Sequence, residues 1–163
     1  MTTENLSQDL SQEIVRLLKE KNMKISFAES CTGGMVSAAI TSVEGASGIL
    51  DLSITTYANQ AKIQYTDVTE EVLAAHGAVS EQTAALMASG IRKRSASDIG
   101  VGITGIAGPG GGSREKPVGT VYIAINYGEN ETLIKHFAFI GDRQSVRSQT
   151  TEQALRQILP LLK

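Results

Sequence analysis

Apolar positions along the chain switch between helical spacing and strand-like runs. Leu10, Ile14, Leu17 and Leu18 follow i, i+4, i+7, i+8, so residues 5–20 predict an amphipathic helix that stops at Asn22. "KISFAE" then reads as a short strand. Val36, Ala39, Ile40 and Val43 return to helical spacing and predict a helix that begins near Thr32. The β-branched run "LDLSITTY", residues 50–57, predicts a strand, and a short helical piece carrying Lys62 follows it. Thr69 caps a helix over 69–76 that Gly77 closes, and Ser80 caps the next, with Ala84, Met87, Ala88 and Ile91 on one face.

The second half reads mostly as strands. "DIGVGITG" is a strand whose glycines suggest a close backbone approach, and a glycine-rich loop follows at 105–112. "VGTVYIAINY" and "TLIKHFAFI" are two more strands, separated by the turn signal Gly128-Glu129-Asn130. The tail over 142–162 predicts a helix with Val146, Ala154, Ile158 and Leu162 inward and Pro160 fraying its last turn. Early alternation of strands with helices, then two adjacent strands, predicts a single α/β domain over residues 1–163, with helices on both faces of a mixed sheet.

Composition narrows the function classes. A length of 163 residues with 41% hydrophobic and 20% charged residues suits one soluble domain. A net charge of −2 and 4% aromatic content, with no Trp, argue against a nucleic-acid partner or a base-stacking platform. The basic run Arg92-Lys93-Arg94 falls at a predicted helix end, where cations complement the dipole. A lone cysteine, Cys31, excludes an internal disulfide and suits the cytoplasm. His76 and His136 have no metal-ligand spacing, and no metal or cofactor is expected. The polar, acidic N-terminus is no signal peptide, and no apolar run is long enough to span a bilayer.

Several segments carry candidate chemistry. In "AESCTGG" a strand passes into a helix, with Glu29, Ser30, Cys31 and Thr32 in a row and Gly33 and Gly34 in the expected first turn. Free amides and the helix dipole there favour an oxyanion or anion site; a tight turn with Ser30 or Thr32 as a plain cap is the alternative. In "TTYANQAK", Tyr57 and Lys62 diverge on one continuous helix but converge across a strand-to-helix junction. "TGIAGPGGG" follows a strand and can form an anion-binding nest, although it matches neither common phosphate-loop pattern. Ser113 and Lys116 spell S-x-x-K, but Pro117 works against the helical turn which that pairing needs. Arg143 and Arg147 share a helix face and can clamp a phosphate, or simply face solvent.

Taken together, "AESCTGG", "YANQAK", "HGAVSEQ", "TGIAGPGGG", "EKPVGTVY" and "GDRQSVR" resemble, in order, the C-terminal domain of the competence/damage-inducible protein CinA, over about residues 24–160. Stand-alone forms of that family are nicotinamide mononucleotide (NMN) deamidases, and the family's separate N-terminal domain is not expected in this chain. The resemblance implies a three-layer α/β/α sandwich with a mixed, mostly parallel sheet of about five strands. It also implies a homo-oligomer, a small nucleotide as substrate and hydrolysis of a carboxamide without metal. It places the catalytic group on Ser30, Tyr57 and Lys62, and substrate contacts on Glu29, Thr32, Gly33, Gly34, Thr104, Gly105, Gly108, Gly110 and Arg143. The chain departs from the family pattern at Ala58, where Ser or Thr is common, and in "LDLSITT", which lacks a usual glycine. The residues alone leave open whether Lys62 or Tyr57 is the base and whether Cys31 rivals Ser30. Glu29 reads equally as a ribose ligand, a guide for Lys62 or a buried cap partner.

Overall fold

Every second residue of the first strand points to the same face of the sheet, and this sets the layers. The computed structural model describes residues 3–163, with side chains from residue 7 onward. The elements run α1 (Thr3–Glu20), β1 (Ile25–Glu29), α2 (Met35–Thr41), β2 (Leu50–Thr55), α3 (Asn59–Tyr65), α4 (Glu70–His76), α5 (Glu81–Ser95), β3 (Ile99–Gly105), β4 (Thr120–Tyr127), β5 (Glu131–Ala138) and α6 (Arg143–Ile158). Short 3-10 turns at Ala46–Gly48 and Leu159–Leu162 complete it. The last of these is where the single predicted helix over 142–162 divides, because Pro160 cannot continue the α-helical ladder.

The sheet order is β2-β1-β3-β4-β5. β1 lies parallel to β2 and β3, and both β3–β4 and β4–β5 are antiparallel. Four strands therefore point one way and β4 alone runs against them, which is the mixed, mostly parallel sheet of the expectation. Ile25 and Phe27 face a core shared with α1, α2 and α6 through Ile14, Leu18, Val36, Val146 and Ile158. Ala28 faces the opposite side, against Met87 and Ile91 of α5 with Val68, Ile63 and Leu73 around them. Glu29 continues the Ile25–Phe27 side and so is aimed at the start of α2.

After β1 the chain crosses to β2 on one side of it, then returns past it to β3 on the other. The connections leave β1 in opposite directions, and a crevice opens at the carboxyl ends of β1 and β3. Ser30 follows β1, Tyr57 follows β2, and Thr104 and Gly105 end β3, so the topology gathers the candidate residues at one edge of the sheet. No helix among the described residues is long and apolar enough to cross a membrane.

The glycines of β3 set how closely α5 covers the sheet. A Cβ on Gly102 would lie 2.3 Å from the Ala84 carbonyl oxygen, and one on Gly100 would lie 2.2 Å from that of Ala88. The obstacle in both cases is helix backbone, which cannot rotate away. Gly102→Ala is therefore expected to lower the unfolding free energy by about 1–3 kcal/mol through overpacking. Urea denaturation checks this, and an unchanged midpoint would mean that α5 yields freely.

Candidate active site

The turn after β1 is built around a buried carboxylate. Glu29 is fully buried. Its Oε2 accepts from Thr32 Oγ1 at 2.6 Å, Gly34 N at 3.0 Å and Val36 N at 3.2 Å, and its Oε1 accepts from Ser37 N at 2.8 Å. The expected helix start near Thr32 is corrected: α2 begins at Met35, and Gly34 is its N-cap. Gly33 and Gly34 have φ of +60° and +98°, a left-handed path that other residues rarely follow, so backbone conformation is what requires them. The amide of Gly33 donates to the Ser30 carbonyl and that of Gly34 to Glu29, so neither is free for a ligand. From α6, Arg147 donates to the carbonyls of Cys31 and Thr32 and holds the turn from outside.

Of this turn, Ser30 and Cys31 line a cleft of about 260 Å³, and Glu29, Thr32, Gly33 and Gly34 lie outside its lining. Ser30 is 8% exposed. Its Oγ lies 3.2 Å from Lys62 Nζ, a contact between residues 32 positions apart in the chain. Lys62 reaches it from α3, whose N-cap, Ala58, offers no side-chain cap to the first amides. This is the structural consequence of the departure at position 58.

Lys62 is 2% exposed and forms no ion pair among the described residues. Its Nζ meets three oxygens: the carbonyls of Thr56 at 2.9 Å and Tyr57 at 3.2 Å, and Ser30 Oγ. Carbonyls only accept, so they fix two N–H bonds of the amine. In the neutral amine the remaining tetrahedral position is a lone pair, and it points to the serine hydroxyl. Burial pushes the Lys62 pKa below the ordinary 10.5, which favours that neutral form. Burial also pushes the Cys31 thiol up to about 12, so it stays protonated at neutral pH. Tyr57 is 56% exposed; its hydroxyl accepts from Arg143 Nη2 at 2.7 Å, and it meets Lys62 through its carbonyl rather than its phenol.

The opposite wall comes from β3 and the loop after it. Thr104 Oγ1 donates to the Ala78 carbonyl at 2.7 Å and ties this wall to the bend between α4 and α5. Thr104, Gly105, Gly108 and Gly110 all line the cleft, as does Arg143. Among the described residues the amides of Ala107, Gly108, Gly110 and Gly111 donate to no protein acceptor. Arg143 Nη1 donates to the Gly108 carbonyl at 2.8 Å, so the guanidinium spans from this loop to Tyr57. The two arginines of α6 thus separate: Arg143 faces the cleft, and Arg147 is occupied by the turn.

Sequence reasoning did not single out Asn59, Ala78 and Val79, which also line the cleft. Ala78 and Val79 enter through the bend between Gly77 and Ser80, whose flanking helix signals were visible but carry no mark of ligand contact. A larger hollow of about 570 Å³ lies between α1, α2 and α6, lined by Ser7, Met35 and Thr151 among others, with no ionisable side chain among the described residues. The smaller cleft therefore holds the candidate chemistry.

The fold and cleft define an α/β domain with a buried hydroxyl–amine pair facing a glycine loop. The chain belongs to the CinA C-terminal domain family, whose model matches residues 7–162. It is 45% identical over 158 residues to the nicotinamide-nucleotide amidohydrolase PncC of Escherichia coli K12, covering 97% of this chain and 95% of that protein. It is 43% identical over 152 residues to a CinA-like protein of Syntrophus aciditrophicus, covering 93% of this chain but only 36% of that protein. The chain likewise spans about a third of the length of relatives from Caldicellulosiruptor bescii and Moorella thermoacetica. Among solved structures, the competence/damage inducible protein CihA of Agrobacterium tumefaciens superposes with a TM-score of 0.94 at 38% identity, covering 97% of this chain and 96% of that one.

The depressed pKa of Lys62 has a measurable sign. Its folded value lies below the unfolded one, so between the two the unfolded chain binds more protons and stability rises with pH. Lys62→Met removes this proton linkage. The unfolding free energy of wild type minus that of Lys62→Met is expected to grow as pH climbs toward 10.5, by about 1.4 kcal/mol per pH unit across the interval between the folded and unfolded values. Urea titrations of both proteins from neutral to alkaline pH measure it, and a flat difference would show an ordinary, solvated amine.

Proposed function

We propose that this protein hydrolyses the carboxamide of nicotinamide mononucleotide to nicotinic acid mononucleotide and ammonia. The observation that carries the reading is the buried Ser30–Lys62 pair, with the amine's other two positions held by carbonyls. An amide is a weak electrophile, so the site must supply a nucleophile, a proton acceptor and oxyanion stabilisation. For an unperturbed lysine, presenting the neutral amine at pH 7 costs about 4.6 kcal/mol, and burial lowers that cost.

In the proposed reaction Ser30 Oγ attacks the carboxamide carbon as its proton passes to Lys62 Nζ. The oxyanion is held by the amide of Cys31, the residue after the nucleophile, in place of the amides of Gly33 and Gly34 that are already engaged. Collapse breaks the C–N bond, Lys62 returns the proton to the leaving nitrogen, and ammonia departs. Water then attacks the ester carbonyl as its proton passes to Lys62, the C–O bond to Ser30 breaks as Lys62 hands that proton to Ser30 Oγ, and the acid is released. The free amides of the glycine loop and Arg143 form the seat for the phosphate, and Tyr57 stands at the mouth as Arg143's partner. The full-length similarity to a nicotinamide-nucleotide amidohydrolase supports the same substrate. The family resemblance implies a homo-oligomer that works without metal, while the lone cysteine suits the cytoplasm and the charge and aromatic content argue against nucleic acid or membrane as partners.

Ammonia release from NMN tests the reading. Wild type is expected to turn over, Ser30→Ala and Lys62→Ala to lose about 10³-fold or more in kcat, and Cys31→Ala to stay within about threefold of wild type. Tight NMN binding without ammonia would make the protein a nucleotide sensor instead. An inactive Cys31→Ala beside an active Ser30→Ala would move the nucleophile to the thiol.

A further inference from the structure

Glu29 is a buried carboxylate that the proposed chemistry does not use. It immediately precedes Ser30, yet it lies outside the lining of the cleft. Its side chain gathers Thr32 Oγ1 and the amides of Gly34, Val36 and Ser37. Its main-chain carbonyl accepts from Thr56 N at 2.8 Å, and the Thr56 carbonyl in turn accepts from Lys62 Nζ at 2.9 Å. One residue therefore anchors both partners of the pair. The side chain fixes the turn that carries Ser30, and the backbone fixes the segment that holds the amine.

We infer that Glu29 is the positioning residue of this site, setting the Ser30–Lys62 distance through the turn at residues 30–34 without touching substrate. The inference rests on the reading that Ser30 and Lys62 do the chemistry. Four donors converge on the side chain, and only a carboxylate accepts with both of its oxygens. In Glu29→Gln the oxygen in the Oε2 position keeps its three donors, but the new NH2 group faces the amide of Ser37, donor against donor. Side-chain volume is nearly unchanged, so the core stays filled while the turn loses one anchor. A displacement of about 1 Å in a reacting group is enough to cost about 10²-fold in rate.

The test uses the full chain, with ammonia release from NMN, circular dichroism, and labelling of Ser30 by phenylmethylsulfonyl fluoride as a substrate-independent report on the nucleophile. For Glu29→Gln the expected result is a fall in kcat of about 10²-fold and a KM within about twofold of wild type. Labelling should slow in parallel while the native dichroism spectrum is kept. Thr32→Val removes one donor and leaves the carboxylate in place; it should show the same pattern at smaller size, and it carries the test if Glu29→Gln does not fold. A raised KM with kcat intact would make Glu29 a substrate ligand and overturn the inference. Wild-type kcat and labelling would reduce Glu29 to a helix cap and overturn it equally. If wild type releases no ammonia from NMN but its Ser30 still labels faster than in both variants, the proposed substrate falls and the positioning role stands.

Discussion

An amine without a counter-ion, sealed between a serine hydroxyl and two backbone carbonyls, is the constraint around which this molecule is arranged. A buried ammonium is costly unless a carboxylate pairs with it, and none does so here among the described residues. Burial without a counter-ion favours the neutral amine, and its hydrogens are fixed by oxygens that can only accept. Those oxygens belong to Thr56 and Tyr57, in the link from β2 to α3, so the strand-to-helix junction is itself part of the site. Thr56 is in turn pinned by Glu29, and Ser30 N donates to the Ile103 carbonyl of β3. The hydroxyl–amine contact is thus set by the turn after β1 and the link after β2, each tied back to a neighbouring strand.

The sheet explains why these parts meet. Connections leave β1 in opposite directions, so the carboxyl ends of β1 and β3 border a crevice instead of a covered layer. One wall ends in Ser30, the proposed nucleophile. The other ends in a loop whose glycines expose amides, with Gly108 and Gly111 at φ of +85° and +84°. Arg143 bridges the loop to Tyr57 across the mouth and puts one fixed cation beside the free amides. Ser30, Lys62 and the glycine loop, the proposed nucleophile, base and anion seat, all stand on elements whose spacing the sheet determines.

Much of this was legible in the chain. The strand-helix rhythm gave the mixed sheet and both helical layers, because burial of one face imposes a period that survives in sequence. The strand glycines announced a close backbone approach, which α5 makes, and the glycine loop after that strand, read as a candidate anion site, lines the cleft. The reading of Gly33 and Gly34 as helix residues failed because glycine fits both an exposed first turn and a left-handed bend. Only the carboxylate below them, whose four donors fix the bend, selects the second. Arg143 and Arg147 were indistinguishable for a similar reason: four residues apart on one helix, they differ only in which carbonyls lie opposite, those of Gly108 or those of Cys31 and Thr32.

What the sequence determined by itself was the inventory and its order: a serine after a strand, a lysine past the next strand, a glycine loop after the third, and a family to which the ordered motifs belong. Local periodicity and turn chemistry are enough for that, since they act over a few residues. What the tertiary structure decided was the electrostatic state of each group. It buried Lys62 away from any carboxylate, turned Glu29 out of the cleft, gave the phenol of Tyr57 to an arginine 86 positions away, and left some amides free while engaging others. Desolvation and hydrogen-bond pairing between distant segments are properties of the packed chain, and no local pattern encodes them.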